Sequence, residues 1–215
     1  MALDTSPLFR PLKVKGKVLR NRIVMPPMVT NRMLVSPDAA EWYGRRARGG
    51  AAMVIVQATP VGRFGYDLSA ENLRPLVSAI HAGGALAGIQ LSCTGRDDVV
   101  PDDLSSADID VLVQRYRMAA GLCAAAGFDA IEPHGAHDTL LNQFFSPEMN
   151  RRTDAYGGSD ERRMRLALDI IIAIRPACGA SMLVMYRHSP VGAGYGIEDS
   201  VAFAERLVGA GVDIL

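Results

Sequence analysis

The sequence has too little cysteine to be held together by disulfides: Cys93, Cys123 and Cys178 are its only three, far apart and in no CxxC pairing. Such thiols fit the reduced state of a cytoplasmic protein and exclude a disulfide scaffold. Charge of one sign is also lacking, because 23 lysines and arginines balance 23 aspartates and glutamates. No basic surplus points to nucleic acid or an anionic membrane as the main partner, so a small metabolite or another protein is expected instead. Long apolar runs are missing too. The start MALDTSPLFRPLKVKGKVL holds no apolar segment of signal-peptide length, and no later run approaches the ~20 residues that span a bilayer. The expectation is a cytoplasmic chain, neither secreted nor inserted into a membrane.

What is present is enough apolar material for one core: 215 residues, 49% hydrophobic and 21% charged, suit a single globular domain. Short apolar runs recur along it: RIVMPP at 22–27, AAMVIVQA at 51–58, ALAGIQL at 85–91, FDAIEP at 128–133, SMLVMYR at 181–187 and a last VDIL from 212. Nearly continuous apolarity is what a parallel strand covered on both faces requires. Helical patterns separate the runs. One begins at Ser105 and stops at Gly127, a second begins at Ser159 with Asp160 and Glu161 near the positive end of the helix dipole, and a third ends at Gly211. Repeated βα units of this kind build a (β/α) barrel or a doubly wound sheet.

Two features favour the barrel. Thr30, Gln57, Gln90, His134 and Arg187 stand at successive strand ends, where a barrel gathers its active site. The glycine-rich GAGYG at 192–196 lacks the third glycine of a dinucleotide loop and is separated from its strand by HSP, so it is read as a plain loop. The count falls short, however: an eight-stranded barrel typically takes about 250 residues. Residue 215 falls inside the sixth strand, so either further chain or some other partner is expected to cover the open side.

The stretch HGAHDTLLNQF at 134–144 places His134 and His137 three apart after the fourth strand. Alone, they suit metal ligands, substrate-binding groups or packed core histidines. A metal would need at least a third ligand, and none stands at a recognisable spacing, so no metal is expected. The loop NRRTDAYGGS reads as architectural, a hydrogen-bonded turn before the next helix. Met25, Met28, Met53, Met182 and Met185 read most simply as core packing.

The run HGAHDTLLNQFFSPEMNRRTDAYGGSDERRMR at 134–165 resembles the old yellow enzyme family, the FMN-dependent NADH:flavin oxidoreductases with their 2,4-dienoyl-CoA reductase-like branch. LRNRIVMPPM, YGRRARGGAAMVIVQA, IQLSCTGR and YRHSP extend the resemblance from about residue 8 onward. It implies a (β/α)8 TIM-type barrel, with residues 1–215 forming its N-terminal part over the first five to six βα units. It implies FMN as cofactor and NAD(P)H as reductant. Gln90 would pair with the flavin pyrimidine edge, and Arg187 would stand beside flavin N1 and O2, stabilising negative charge on the reduced ring. Pro27, Met28 and Ala58 would touch the ring largely through backbone. His134 and His137 would hydrogen-bond a carbonyl oxygen of the substrate, drawing electrons so that hydride can add to the β-carbon.

The sequence also departs from the family pattern. Thr139 stands where many members have the tyrosine that protonates the α-carbon, and an aliphatic hydroxyl is a far weaker acid than a phenol of pKa ~10. Tyr195, on a neighbouring loop, or solvent is then expected to deliver the proton. Cys93 replaces a histidine, and Val29 stands where several branches have threonine or cysteine. The passage after Gly95 and Arg96 is shorter than usual, leaving a more open pocket or one capped by another chain. The family's phosphate-binding loops follow the seventh and eighth strands, beyond residue 215. Three functions follow: an FMN-dependent oxidoreductase acting on the C=C of an α,β-unsaturated carbonyl; a non-redox isomerase or cyclase on a degenerate barrel; or a non-catalytic subunit completing a split barrel. A homo- or hetero-oligomer is expected, with a partner chain able to supply missing strands.

Overall fold

The apolar runs become parallel strands whose two faces pack against different things. The computed structural model describes residues 3–93 and 99–215. An antiparallel hairpin comes first, β1 (Leu12–Val14) and β2 (Lys17–Leu19). Its turn residues Lys15 and Gly16 have φ of 43° and 82°, the left-handed pair that a tight two-residue hairpin needs. The main sheet then runs β3 (Val24–Met25), β4 (Met53–Pro60), β5 (Leu86–Ser92), β6 (Ala130–Gly135) and β7 (Leu183–Val184), all parallel. A further short strand, β8 (Arg187–His188), also pairs with β6. Ile214 bridges Met185 in parallel, which begins a sixth barrel strand. Neighbours in sequence are neighbours in space throughout. That order is a barrel's, since a doubly wound sheet reverses direction at a switch point.

The helices between the strands are α1 (Pro37–Arg48), α2 (Ala70–Ala82), α3 (Ser106–Ala126), α4 (Leu140–Phe145), α5 (Asp160–Ala177) and α6 (Ile197–Ala210). Ser36, Ser69 and Ser105 cap the first three by accepting a backbone N–H three residues on. Gly127 and Gly211 end α3 and α6 at φ 97° and 116°, as the sequence pattern predicts.

Period-two alternation sorts the strand residues. Val54, Val56, Ile89, Ile131 and Val184 join the cluster beneath the helices. Met53, Ile55, Ala130, Leu183 and Met185 face the inside of the arc, where Leu12, Val14 and Leu19 of the hairpin cover them. The burial of each such aliphatic side chain contributes roughly 1.5–3 kcal/mol. Continuing the inward alternation puts Gln57, Gln90, Glu132 and Arg187 at the C-terminal ends of the strands, and these are the polar members of otherwise apolar runs.

The opposite end is tied by a repeated device. After the glycines that end α3 and α6 come Asp129 and Asp213, each accepting an N–H from the preceding strand, Ala87 at 2.9 Å and Val184 at 2.8 Å. Each also accepts from a hairpin lysine: Lys17 Nζ lies 2.6 Å from Asp129, and Lys15 Nζ 2.9 Å from Asp213. His81 and Arg175 complete the two sets at 2.7 and 2.8 Å. The sheet does not close among the described residues. A cavity of about 720 Å³ opens into the interior between Val24, Pro26 and Ile55 on one side and Met185, Ile214 and Ile197 on the other.

Candidate active site

The histidine pair is placed by a strained turn. At the end of β6, His134 and Gly135 are followed by His137 and Asp138, both in left-handed backbone at φ 57° and 56°. Neighbouring groups hold the turn in that shape. Asp138 N–H donates to Asn142 Oδ1 at 3.0 Å, Gln143 Nε2 donates to the Asp138 carbonyl at 2.8 Å, and His137 N–H donates to Ser189 Oγ at 3.0 Å. The two imidazoles end with centroids 5.3 Å apart and planes at 77°.

Both rings line a cavity of about 340 Å³ with Ala58, Ser92, Cys93, Val99, Asp138, Thr139 and Gln143. His134 Nδ1 is buried there without a partner among the described residues. Burial, then the charges of His137 and Arg187, lower its pKa to about 4, so the ring is neutral near pH 7. A neutral imidazole with a free nitrogen can bind a polar ligand atom without first losing another contact. The Cys93 thiol lies 3.4 Å from the Tyr116 hydroxyl, and burial pushes its pKa up to about 12. It stays a thiol.

The cofactor-binding residues expected from sequence divide into two groups. Ala58 lies in the cavity with the histidines, whereas Arg187 lines the wider interior opening beside Glu132 and Pro26. Gln90 is buried between strands, and its Nε2 donates to Glu132 Oε1 at 2.7 Å. Pro27 is half-buried and Met28 exposed on the segment after β3, which is held by Thr30 donating from N and Oγ1 to Gln57 Oε1 at 2.8 and 2.6 Å. Met28 is therefore not core packing.

One expectation about the proton needs correcting. Tyr195 does not join the histidines. Its hydroxyl donates to the Ser189 carbonyl at 3.0 Å and accepts from Asn142 Nδ2 at 2.8 Å, and its ring packs on Phe145 beside a different cavity. Burial first of all raises its pKa. Thr139 does reach the cavity, but its hydroxyl faces the His134 and Ala136 carbonyls at 2.8 and 2.9 Å at the start of α4. Neither hydroxyl is free to protonate a ligand. The sequence reading also passes over Glu132, whose signal was a carboxylate at an inward position of the apolar run FDAIEP. The expected short passage at Gly95 and Arg96 begins outside the described residues, which omit 94–98.

The sequence profile of the NADH:flavin oxidoreductase / NADH oxidase family matches residues 7–103 and 97–210. The chain belongs to that family. It is 34% identical to an NADPH dehydrogenase of Geobacillus sp. (strain WCH70), over 97% of this chain and 71% of that protein. It is likewise 34% identical to an NADH oxidase of Thermoanaerobacter brockii, over 97% of this chain but 38% of that longer protein. Morphinone reductase superposes with a TM-score of 0.83 at 25% identity, covering 96% of this chain and 70% of that one. The old yellow enzyme resemblance and the TIM-type barrel are thereby shown, and the family's cofactor is FMN with NAD(P)H as reductant. The two relatives align over 246 and 248 positions against 215 residues here, and the two profile matches meet at 97–103. The relatives thus carry extra sequence within the aligned region. Among the described residues no helix is long and apolar enough to cross a membrane.

The residues present fit the ring end of FMN. Gln90 offers a donor and an acceptor on one buried side chain, Arg187 supplies a fixed charge one strand beyond β6, and His134 has an orphaned nitrogen.

Proposed function

We propose that this chain forms the catalytic part of an FMN-dependent oxidoreductase acting on the C=C of an α,β-unsaturated carbonyl. The observation that carries the reading is the His134–His137 pair standing in one cavity with Ala58, with a buried nitrogen of His134 unpartnered. Bound FMN, reduced by NAD(P)H, would supply hydride. The chain's own residues would do the rest. His134 and His137 would hold the carbonyl oxygen and stabilise the negative charge that develops on it as the β-carbon is attacked, an effect often worth about 3 kcal/mol per donor. Gln90 would orient the cofactor's pyrimidine edge, Pro27, Met28 and Ala58 would border its ring, and Arg187 would offset negative charge there. With the Thr139 and Tyr195 hydroxyls committed to backbone carbonyls, the α-carbon proton would come from water entering the cavity. The open interior would be covered by further βα units, from the same chain or from a partner in a homo- or hetero-oligomer, since its apolar lining is unfavourable in water.

The test is reconstitution of the purified chain with FMN, anaerobic reduction, and mixing with 2-cyclohexenone in D2O. The expected outcome is flavin reoxidation matched by saturated ketone carrying solvent deuterium at the α-carbon. A chain that takes up no FMN, or whose reduced flavin ignores conjugated carbonyls, overturns the reading. The commitment of the Thr139 and Tyr195 hydroxyls to backbone carbonyls supports a second reading, a non-redox isomerisation of a carbonyl compound. Turnover of such a compound by colourless protein would favour it.

A further inference from the structure

Gln90 and Glu132 are register partners on β5 and β6, both on the inward face, and both almost wholly buried at 3% and 4% exposure. Their 2.7 Å hydrogen bond is not symmetric in its consequences. An ionised carboxylate only accepts, so it draws the Gln90 Nε2 toward itself and turns the amide carbonyl Oε1 away. A flipped amide would set oxygen against oxygen in a buried site, which is strongly unfavourable. Glu132 thus removes the ambiguity that a lone glutamine would have. The carboxyl also lines the interior opening with Arg187; burial raises the Glu132 pKa above the usual carboxylate value, while the Gln90 bond and the through-space charge of Arg187 favour the ionised form. Among the described residues the two form no direct ion pair, so the guanidinium remains available to a ligand while its charge is partly offset.

We propose that Glu132 is a positioning residue of the cofactor site: it fixes Gln90 with its carbonyl oxygen toward the imide N–H of the flavin and tempers the positive field of Arg187 at the pyrimidine carbonyls. This rests on the FMN reading above. It assigns the residue two separable effects, one on affinity through Gln90 and one on redox potential through charge.

The test uses the full chain reconstituted with FMN and Glu132→Gln, which keeps the size and an acceptor but removes the charge and lets the Gln90 amide flip. Oxidised FMN should bind about tenfold more weakly, corresponding to the loss of one charge-assisted orientation. The midpoint potential should move to more positive values, because a negative charge near the reduced ring is gone. In a Gln90→Ala background the same substitution should no longer change affinity but should still shift the potential. A purely structural role would lower thermal stability and leave the potential where it was. Wild-type protein that binds FMN, with Glu132→Gln unchanged in both affinity and potential, overturns the proposal alone. Wild-type protein that binds no FMN overturns the reading beneath it as well. Should Glu132→Gln fold poorly, Glu132→Asp, which keeps the charge, is expected to hold the wild-type potential; a positive shift there counts against the assignment.

Discussion

Replacing Asp129 by asparagine should unfasten the hairpin from the barrel. Asp129 is 7% exposed, and its carboxylate accepts from Lys17 Nζ at 2.6 Å, His81 Nε2 at 2.7 Å and the Ala87 N–H at 2.9 Å. Asparagine keeps one acceptor oxygen but turns an NH2 toward groups that are themselves donors, and leaves Lys17 without its buried counter-charge. Hydrogen bonds to charged groups contribute about 1.5–3 kcal/mol each, and breaking a buried pair from one side costs about 3–5 kcal/mol. Because Lys17 and His81 are partly exposed and can turn to water, about 3 kcal/mol is expected, or roughly 6–12 °C in Tm for a chain of this length. Burial by itself would raise the Asp129 pKa, but the bonds from Lys17, Ala87 and His81 outweigh it and the net shift is downward. The folded carboxyl is therefore more acidic than the unfolded one. Its contribution is in place above the unfolded value near 4 and is lost as pH falls through the lower folded value. Urea denaturation at pH 7 and at pH 3 measures both parts. The reasoning is refuted if Asp129→Asn costs less than about 1 kcal/mol at pH 7, or costs as much at pH 3 as at pH 7.

Tyr195→Phe should leave turnover unchanged and lower stability by about 1–2 kcal/mol, since the hydroxyl's partners are Ser189 and Asn142; steady-state assay beside denaturation separates the two. NMR titration should find the His134 ring protonating near pH 4. Because that value lies below the ordinary 6.5, the unfolded chain binds the proton first, so His134 should make stability fall as pH drops from about 6.5 toward 4. Gly135→Ala should destabilise by about 1–3 kcal/mol or more, because a Cβ there would overlap the Tyr186 hydroxyl and ring; a variant as stable as wild type in urea would contradict the packing.

Much of the fold was legible because parallel strands buried on both faces must be apolar throughout. FDAIEP and SMLVMYR show this plainly, and the helix ends were equally readable at Ser105, Gly127 and Gly211, where capping chemistry is local. The hairpin at 12–19 was not legible, since LKVKGKVL carries lysines at alternate positions and its apolar side chains find a core only under the closed end of the strands. Of the site, the histidine pair and Gln90 could be read from their motif.

The sequence by itself determined the order of βα units, the family and the residue types at the strand ends, because these depend on short-range periodicity and local motifs. Only the tertiary structure decided what those residues do to each other. Tyr195 lies near in sequence to Arg187 and His188 yet spends its hydroxyl on Asn142 and Ser189, while Glu132, unremarked in an apolar run, meets Gln90 from 42 residues away. Hydrogen-bond commitment and burial are set by which chains pass within 3 Å of one another, and that distance is a property of the packed arc of strands.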